Sequence, residues 1–255
     1  MRIDVTLAAL LALSIGAPSA GLAVEATSPN APLRHLVYSF TYGAQGDLTV
    51  HSDQGVGYAQ AGGQATSGSG IVQDYNGTMQ DKGTITVDVM REQPDTGLVV
   101  KISEQAENTR KADPATCVVY GSTNMICDPN ATINSEELTL LRFVGRNFID
   151  PNKLDDKGHW RLEQSNAVES TTADYTLAPG KNGIVAVHET RVVKDLGGRP
   201  VTTDVTTSIV YDVNRQIPTT VQEYAERREA SSFSGSMKTT VQTSLNLISD
   251  SMAKQ

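Results

Sequence analysis

Two cysteines are the residues of this chain whose spacing points most directly to chemistry. Cys117 and Cys127 are the only cysteines among 255 residues, and a Gly-Ser-Thr-Asn turn with short apolar runs on either side separates them. A hairpin centred on Ser122 would place the two sulfur atoms opposite each other, within bridging distance. A Cys-x-x-Cys motif and a nearby histidine are both absent, which argues against redox or metal chemistry. The spacing therefore predicts a disulfide, as expected in an oxidising compartment.

The residue types that most often carry catalysis are scattered along the chain. The four histidines stand singly, and neither His-Glu-x-x-His nor Gly-x-Ser-x-Gly occurs. Ser251 and Lys254 match Ser-x-x-Lys, but they lie at a chain end, where catalytic geometry is poorly held. The segment 128–134 resembles a calcium loop but lacks its glycine and its bidentate glutamate. We therefore predict no catalytic residue, no metal site and no cofactor, and a protein that is not an enzyme. A hydrolase with two carboxylates stays open as a third alternative, because spacing along the chain says nothing about separation in space.

The N-terminal residues predict export. Residues 1–26 contain a basic start, an apolar run from Val5 to Ile15 and a tail of small residues, which is the layout of a cleavable secretory signal. The run is too short to span a bilayer. We expect cleavage after Ala26, or after Ala23, to release residues 27–255 as a single β-rich domain without a transmembrane segment. No cysteine near the cleavage site offers an attachment point for lipid, so the protein should be soluble in the periplasm or outside the cell.

The charge balance limits the partners that we expect. The chain has 29 Asp and Glu residues against 21 Lys and Arg residues, a formal net charge of -8 at pH 7. Nucleic acids and anionic membrane surfaces both favour basic proteins. Neither is therefore an expected partner.

Alternation of apolar and polar residues dominates the rest of the chain and predicts strands. Two hairpins and a final pair of strands follow from it, over residues 85–89 with 98–102, 184–193 with 201–213, and 217–230 with 237–248. Residues 53–70 break the alternation with six glycines among small polar residues, which predicts a flexible loop.

One segment predicts a helix. Asn134 and Glu137 have the spacing of a capping box, and Pro151 would end the helix. Leu140 and Phe143 lie nearly opposite the main apolar face, so the helix should be covered on more than one side. In a chain made mostly of strands, a curved sheet is the natural cover. The main apolar face carries Leu138, Leu141, Val144, Gly145, Phe148 and Ile149.

In the segment 209–221, an apolar strand ends near Asp212 and is followed by a turn, by Pro218 and by another long strand. This arrangement resembles the periplasmic lipoprotein-carrier group, which includes the outer-membrane lipoprotein receptor and the mycobacterial glycolipid-carrier lipoproteins. The order of strands around one helix is also similar. The resemblance implies an incomplete barrel closed by helix and loop over an apolar cavity that holds acyl chains. The chain differs from the group in its cysteine hairpin, its single clear helix and its lack of an anchoring cysteine.

Together these observations predict a mainly β fold: a single strongly curved antiparallel sheet, an incomplete barrel, with one embedded α-helix. The function that we expect is that of an exported, soluble, non-catalytic carrier for an apolar or lipid-like ligand. The alternative is a structural or protein-interaction module of the bacterial cell envelope with a solid core, whose partner would be an envelope protein. The residues predicted to line a ligand cavity are Leu138, Leu141, Phe143, Val144, Phe148 and Trp160.

Overall fold

The computed structural model describes residues 31–52, 71–93, 97–107, 114–121, 124–145, 148–149, 152–197, 201–231 and 235–254. The predicted signal sequence, residues 1–26, and the predicted flexible loop, residues 53–70, lie outside the described residues.

Eleven strands form one antiparallel sheet in the described part of the chain. The sheet order is β5-β4-β3-β2-β1-β11-β10-β9-β8-β7-β6, so the first strand pairs with the last, and the edge strands β5 and β6 leave the sheet open. A helix, α1, lies between β5 and β6, and a short 3-10 helix, Ser251–Lys254, follows β11. The bounds are β1 Arg34–Ser52, β2 Ile71–Gln93, β3 Gly97–Ala106, β4 Ala115–Gly121, β5 Asn124–Cys127, α1 Ser135–Leu141, β6 His159–Ser165, β7 Glu169–Ala178, β8 Ile184–Asp195, β9 Val201–Asp212, β10 Ile217–Ser231 and β11 Gly235–Asp250.

The strand pairs predicted from alternation are confirmed. In β2 and β3, Val87 lies opposite Ile102 and Val89 lies opposite Val100. β8 pairs with β9 along its whole length, and β10 pairs with β11. Alternation predicts these strands well because each has one face against the core and the other toward solvent.

The sheet is strongly curved around the segment that follows β5. At one end of this segment, a Cβ atom built on Gly145 would lie 3.0 Å from the Leu98 side chain of β3. Three residues later, the ring centroid of Phe148 lies 6.1 Å from that of Trp160 in β6. In a flat sheet, the eight steps from β3 to β6 would separate these strands by roughly 38 Å. Three residues span at most about 11 Å. The two strands can therefore contact one short segment only because the sheet curls back on itself, as predicted.

An aromatic cluster packs on the concave side of the sheet, against β6, β7 and β9. The Phe148 ring centroid lies 5.0 Å from that of Phe143, 6.0 Å from that of Tyr175 and 5.1 Å from that of Tyr211. Trp160 stacks on Tyr175 with 4.6 Å between centroids. Each aromatic pair contributes about 0.5–1.5 kcal/mol beyond the area it buries. This aromatic cluster joins the chain after α1 to β6, β7 and β9.

The helix begins where predicted but is much shorter than predicted. The Asn134 backbone N–H donates to the Glu137 carboxylate at 2.9 Å, as the predicted capping box requires. α1 ends at Leu141, whereas the pattern predicted a helix up to Pro151. The backbone of Gly145 has φ 111°, outside the helical region, and its N–H donates to Gln216 O at 3.1 Å. Phe143 and Val144 still donate to the carbonyls three residues earlier, and at Gly145 a bond to the turn between β9 and β10 replaces the helical pattern.

Candidate functional site

The predicted disulfide is present. Cys117 of β4 and Cys127 of β5 are direct partners in the strand register, and their sulfur atoms are bonded. A loop of this length is expected to stabilise the fold by about 3 kcal/mol. The bridge attaches β5, a four-residue edge strand, to the rest of the sheet. Its role is structural.

Five of the six residues predicted to line a cavity lie in the packed interior. Leu138 is the exception, since 39% of its surface is exposed although the helical pattern placed it on the main buried face. Leu140 and Phe143, from the opposite face, are fully buried. α1 is therefore rotated relative to the predicted orientation. The five interior residues are 0–5% exposed: Leu141, Phe143, Val144, Phe148 and Trp160.

A group of four charged residues lies beside the aromatic cluster, and we call it the interior charge cluster: Arg142, Glu189, Arg191 and Glu223. Arg142, in the turn after α1, forms ion pairs with Glu189 of β8 and, at 3.0 Å, with Glu223 of β10. The guanidinium of Arg191 lies 3.7 Å from each of the two carboxylates. Two positive and two negative charges thus balance in the interior.

Hydroxyl groups complete the hydrogen bonding of the two carboxylates. Tyr175 and Thr207 each donate to Glu189 at 2.8 Å, and Thr139 of α1 donates to Glu223 at 2.9 Å. A buried ion pair is tolerated only when such bonds satisfy its remaining lone pairs. The interior charge cluster therefore connects α1 to β8, β9 and β10 through polar bonds.

Neighbouring charges favour the ionised forms of Glu189 and Arg142 despite their burial. Burial alone would raise the pKa of Glu189, but the charges of Arg142 and Arg191 outweigh burial and the pKa is lowered. Burial would lower the pKa of Arg142, and the carboxylates of Glu189 and Glu223 raise it instead. Burial and the neighbouring Arg142 charge both lower the pKa of Arg191. A carboxylate whose pKa is lowered is poorly suited to act as a general acid.

Sequence reasoning missed the interior charge cluster, although a signal for it exists. Val187 and Val221 are buried, so the positions two residues later, Glu189 and Glu223, must face the same side of the sheet. Arg191 follows in the same alternation. A charged residue at a strand position that the alternation predicts to be buried indicates either an ion-pair partner in the interior or a functional site.

A groove of about 720 Å³ lies on the opposite face of the sheet, where it crosses β9, β10, β11, β1 and β2; we call it the outer groove. Residues of two adjacent cross-strand rows line it. The lysine row consists of Ser208, Gln222, Ser244, Thr41 and Lys82, each the register partner of the next. The tyrosine row consists of Thr206, Tyr224, Gln242, Gly43 and Gln80, paired in the same way.

Strand alternation places both rows on the outer face. The intervening residues Thr207, Thr243 and Asp81 are buried on the concave side, and successive side chains of a strand point to opposite faces. None of the six predicted cavity residues lines the outer groove. The described structure thus has a packed concave side and a polar depression on its outer side.

Within the described ranges, no group of three or more histidine, cysteine or carboxylate side chains is placed to hold a metal ion. No helix in this part of the chain is long and apolar enough to cross a membrane. The chain matches no family model, and no curated protein is significantly similar to it in sequence.

Proposed function

We propose that the protein is an exported, non-catalytic interaction module with a solid core, and that it binds its partner through the outer face of its sheet. The observation that supports the proposal is the packing of Phe143, Phe148 and Trp160 where a ligand cavity was predicted. Each of these side chains is at most 5% exposed. These rings contact one another, so protein side chains fill the part of the described interior where the cavity was predicted.

The state of the carboxylates supports the non-catalytic part of the proposal. Hydrolysis by paired carboxylates needs one acid with a raised pKa. Glu189 has a lowered pKa, and it accepts hydrogen bonds from Arg142, Tyr175 and Thr207. Both of its carboxylate oxygens therefore already accept hydrogen bonds within the protein.

A carrier for an apolar ligand is the second candidate, and one observation favours it. A strip of apolar side chains continues the concave face beyond the interior charge cluster; three of its members are partly exposed, and a fourth, Met79, is 42% exposed. An acyl chain laid along this strip would bury apolar surface. We call it the apolar strip; in register order it consists of Val205, Ala225, Val241, Ala44 and Met79.

Binding of an apolar ligand distinguishes the two candidate functions, and two measurements detect it. We would purify the protein from its own host for native mass spectrometry, and titrate it with a fluorescent fatty acid. The solid-core module should give the mass of the protein alone and no rise in fluorescence. Val241→Asp places a charge in the apolar strip, and Val210→Asp places the same charge on the outer face, where Val210 is 38% exposed. Probe binding that Val241→Asp abolishes and Val210→Asp retains would overturn our proposal and establish the carrier.

A further inference from the structure

The side chains of the outer groove offer hydrogen bonds that the protein itself does not use. Within the described part of the chain, six of them make no intramolecular side-chain hydrogen bond. Hydroxyl and amide groups both donate and accept, so each can bond to either kind of group on a ligand. The six residues are Thr41, Thr206, Ser208, Gln222, Gln242 and Ser244.

The charge of the outer groove narrows the class of ligand. Of the ten described residues in its two rows, Lys82 alone is charged, and its ammonium lies 3.3 Å from the carboxylate of Glu107, which also lines the groove. The other two carboxylates of the lining belong to the concave side: Asp81 is buried, and Glu223 pairs with Arg142. An anionic or cationic ligand would therefore meet no uncompensated opposite charge in these rows. An apolar ligand would remove water from the amide and hydroxyl groups without replacing their hydrogen bonds, which costs about 1–3 kcal/mol for each buried group. A neutral ligand rich in hydroxyl groups fits both conditions.

The shape of the outer groove favours an extended ligand. The groove crosses five strands, a distance of roughly 19 Å at the usual strand spacing. A Cβ atom built on Gly43 would have no neighbour within 4 Å, so the groove is open above this residue. Tyr224 lies two strands away in the tyrosine row and is 40% exposed. Its ring offers an apolar face beside the polar groups.

We propose that the outer groove binds a segment of a neutral polysaccharide, with Tyr224 against the apolar face of one sugar ring. The hydroxyl and amide groups of the two rows bond to sugar hydroxyls along the chain. This inference rests on the proposed function, because it names the chemical class of the partner that the outer face recognises. A neutral peptide is the competing ligand that the experiment must separate from a glycan.

Two glycines allow a matched test. Gly43→Val fills the outer groove, while Gly77→Val adds the same side chain to the concave face of the same pair of strands. A Cβ atom at either position meets nothing within 4 Å, so both variants should fold. Thermal unfolding of each variant checks this before binding is measured.

Binding would be measured by calorimetry with neutral hexasaccharides: α-1,4-linked glucose, β-1,4-linked glucose and β-1,4-linked N-acetylglucosamine. At least one should bind, Gly43→Val and Tyr224→Ala should each weaken binding by about tenfold, and Gly77→Val should change it by less than about twofold. A neutral hexapeptide of serine and glycine should not bind.

Three results would overturn the inference: no hexasaccharide binding by the wild type at millimolar concentration, unchanged binding by Gly43→Val, or binding of the hexapeptide in place of the sugars. The fatty-acid titration tests the proposed function separately. If neither sugars nor fatty acid bind, the assignment to glycans is wrong while the solid-core module stands. Fatty-acid binding that depends on Val241 would contradict the module itself.

Discussion

Glu189 of β8 accepts hydrogen bonds from several side chains of the described interior. Arg142, Tyr175 and Thr207 donate to its carboxylate, and Arg191 lies 3.7 Å away. The Glu189 side chain is also fully buried, with 0% of its surface exposed. Removing one member of such a buried set leaves the charges of the others uncompensated.

At this residue, Glu189→Gln keeps the shape of the side chain and removes its charge. Arg142 and Arg191 would then share one carboxylate, that of Glu223, so the free energy of unfolding should fall by about 3–5 kcal/mol. Urea unfolding measures the change. The control is Glu163→Gln, which removes the exposed partner of an arginine on β6 at 2.6 Å and should cost less than about 1 kcal/mol. Equal losses for both variants would contradict the structural role of the interior charge cluster.

At the scale of the element, α1 and the turn after it hold the two sides of the curved sheet together. The helix has only seven residues, so packing and side-chain bonds to the sheet must stabilise it rather than helical propensity. Phe143 contacts Phe148 in the aromatic cluster, and Thr139 and Arg142 bond to Glu223. Apolar packing through Phe143 and polar bonds through Thr139 and Arg142 thus both attach this short segment to the rest of the fold.

Phe143→Ala tests how completely that segment is packed. With a solid core, the variant should lose about 3–5 kcal/mol of unfolding free energy, because a large cavity replaces the ring. Leu138→Ala, on the same element at a site that is 39% exposed, should lose about 1 kcal/mol or less. Urea unfolding of both variants gives the comparison. A small loss at Phe143 accompanied by reduced uptake of the fluorescent fatty acid would favour the carrier instead.

At the scale of the whole molecule, the pairing of β1 with β11 joins strands that are far apart in the chain. A terminal ion-pair network secures this junction: Arg34 of β1 lies 2.7 Å from Asp250 of β11, and Arg215 bridges Asp250 at 3.2 Å and Asp212 at 2.6 Å. Burial would raise the pKa of both aspartates, but hydrogen bonds from the arginines outweigh it and both pKa values are lowered. The folded state is therefore more stable when the carboxylates of Asp250 and Asp212 are ionised.

The sign of the pH dependence follows from these lowered pKa values. A carboxylate with a lower pKa in the folded state stabilises the fold above its unfolded pKa of about 4, and that stability is lost as the pH falls through the folded pKa. The melting temperature of the wild type should therefore fall as the pH decreases below about 4.

Asp250→Asn isolates the contribution of the terminal ion-pair network. It should melt at a lower temperature than the wild type at neutral pH, and the two curves should converge in acid. Asp174→Asn is the control, because the Asp174 carboxylate is 58% exposed where it pairs with Arg161. Parallel curves for wild type and Asp250→Asn from neutral pH to acid would contradict this origin of the acid sensitivity.

The sequence by itself determined the hairpins β2–β3 and β8–β9, the last two strands, the cysteine hairpin and the start of the helix. These features depend on neighbours within about ten residues: the alternation of β2 and β3, the positions of Cys117 and Cys127 about Ser122, and the capping residue Asn134. Local spacing is sufficient for each, because side-chain direction in a strand repeats every two residues and a cap acts within one turn.

Tertiary structure alone decided the length and orientation of α1, the interior charge cluster and the outer groove. The helix ends early because Gly145, with φ 111°, leaves the helical conformation and its N–H bonds to Gln216 in the turn before β10. The groove exists because β1 pairs with β11 in one register, which aligns Thr41 with Ser244 and Gly43 with Gln242. A slip of one residue would turn these side chains to the other face. That register is set by the packing of the whole concave side, which no local pattern contains.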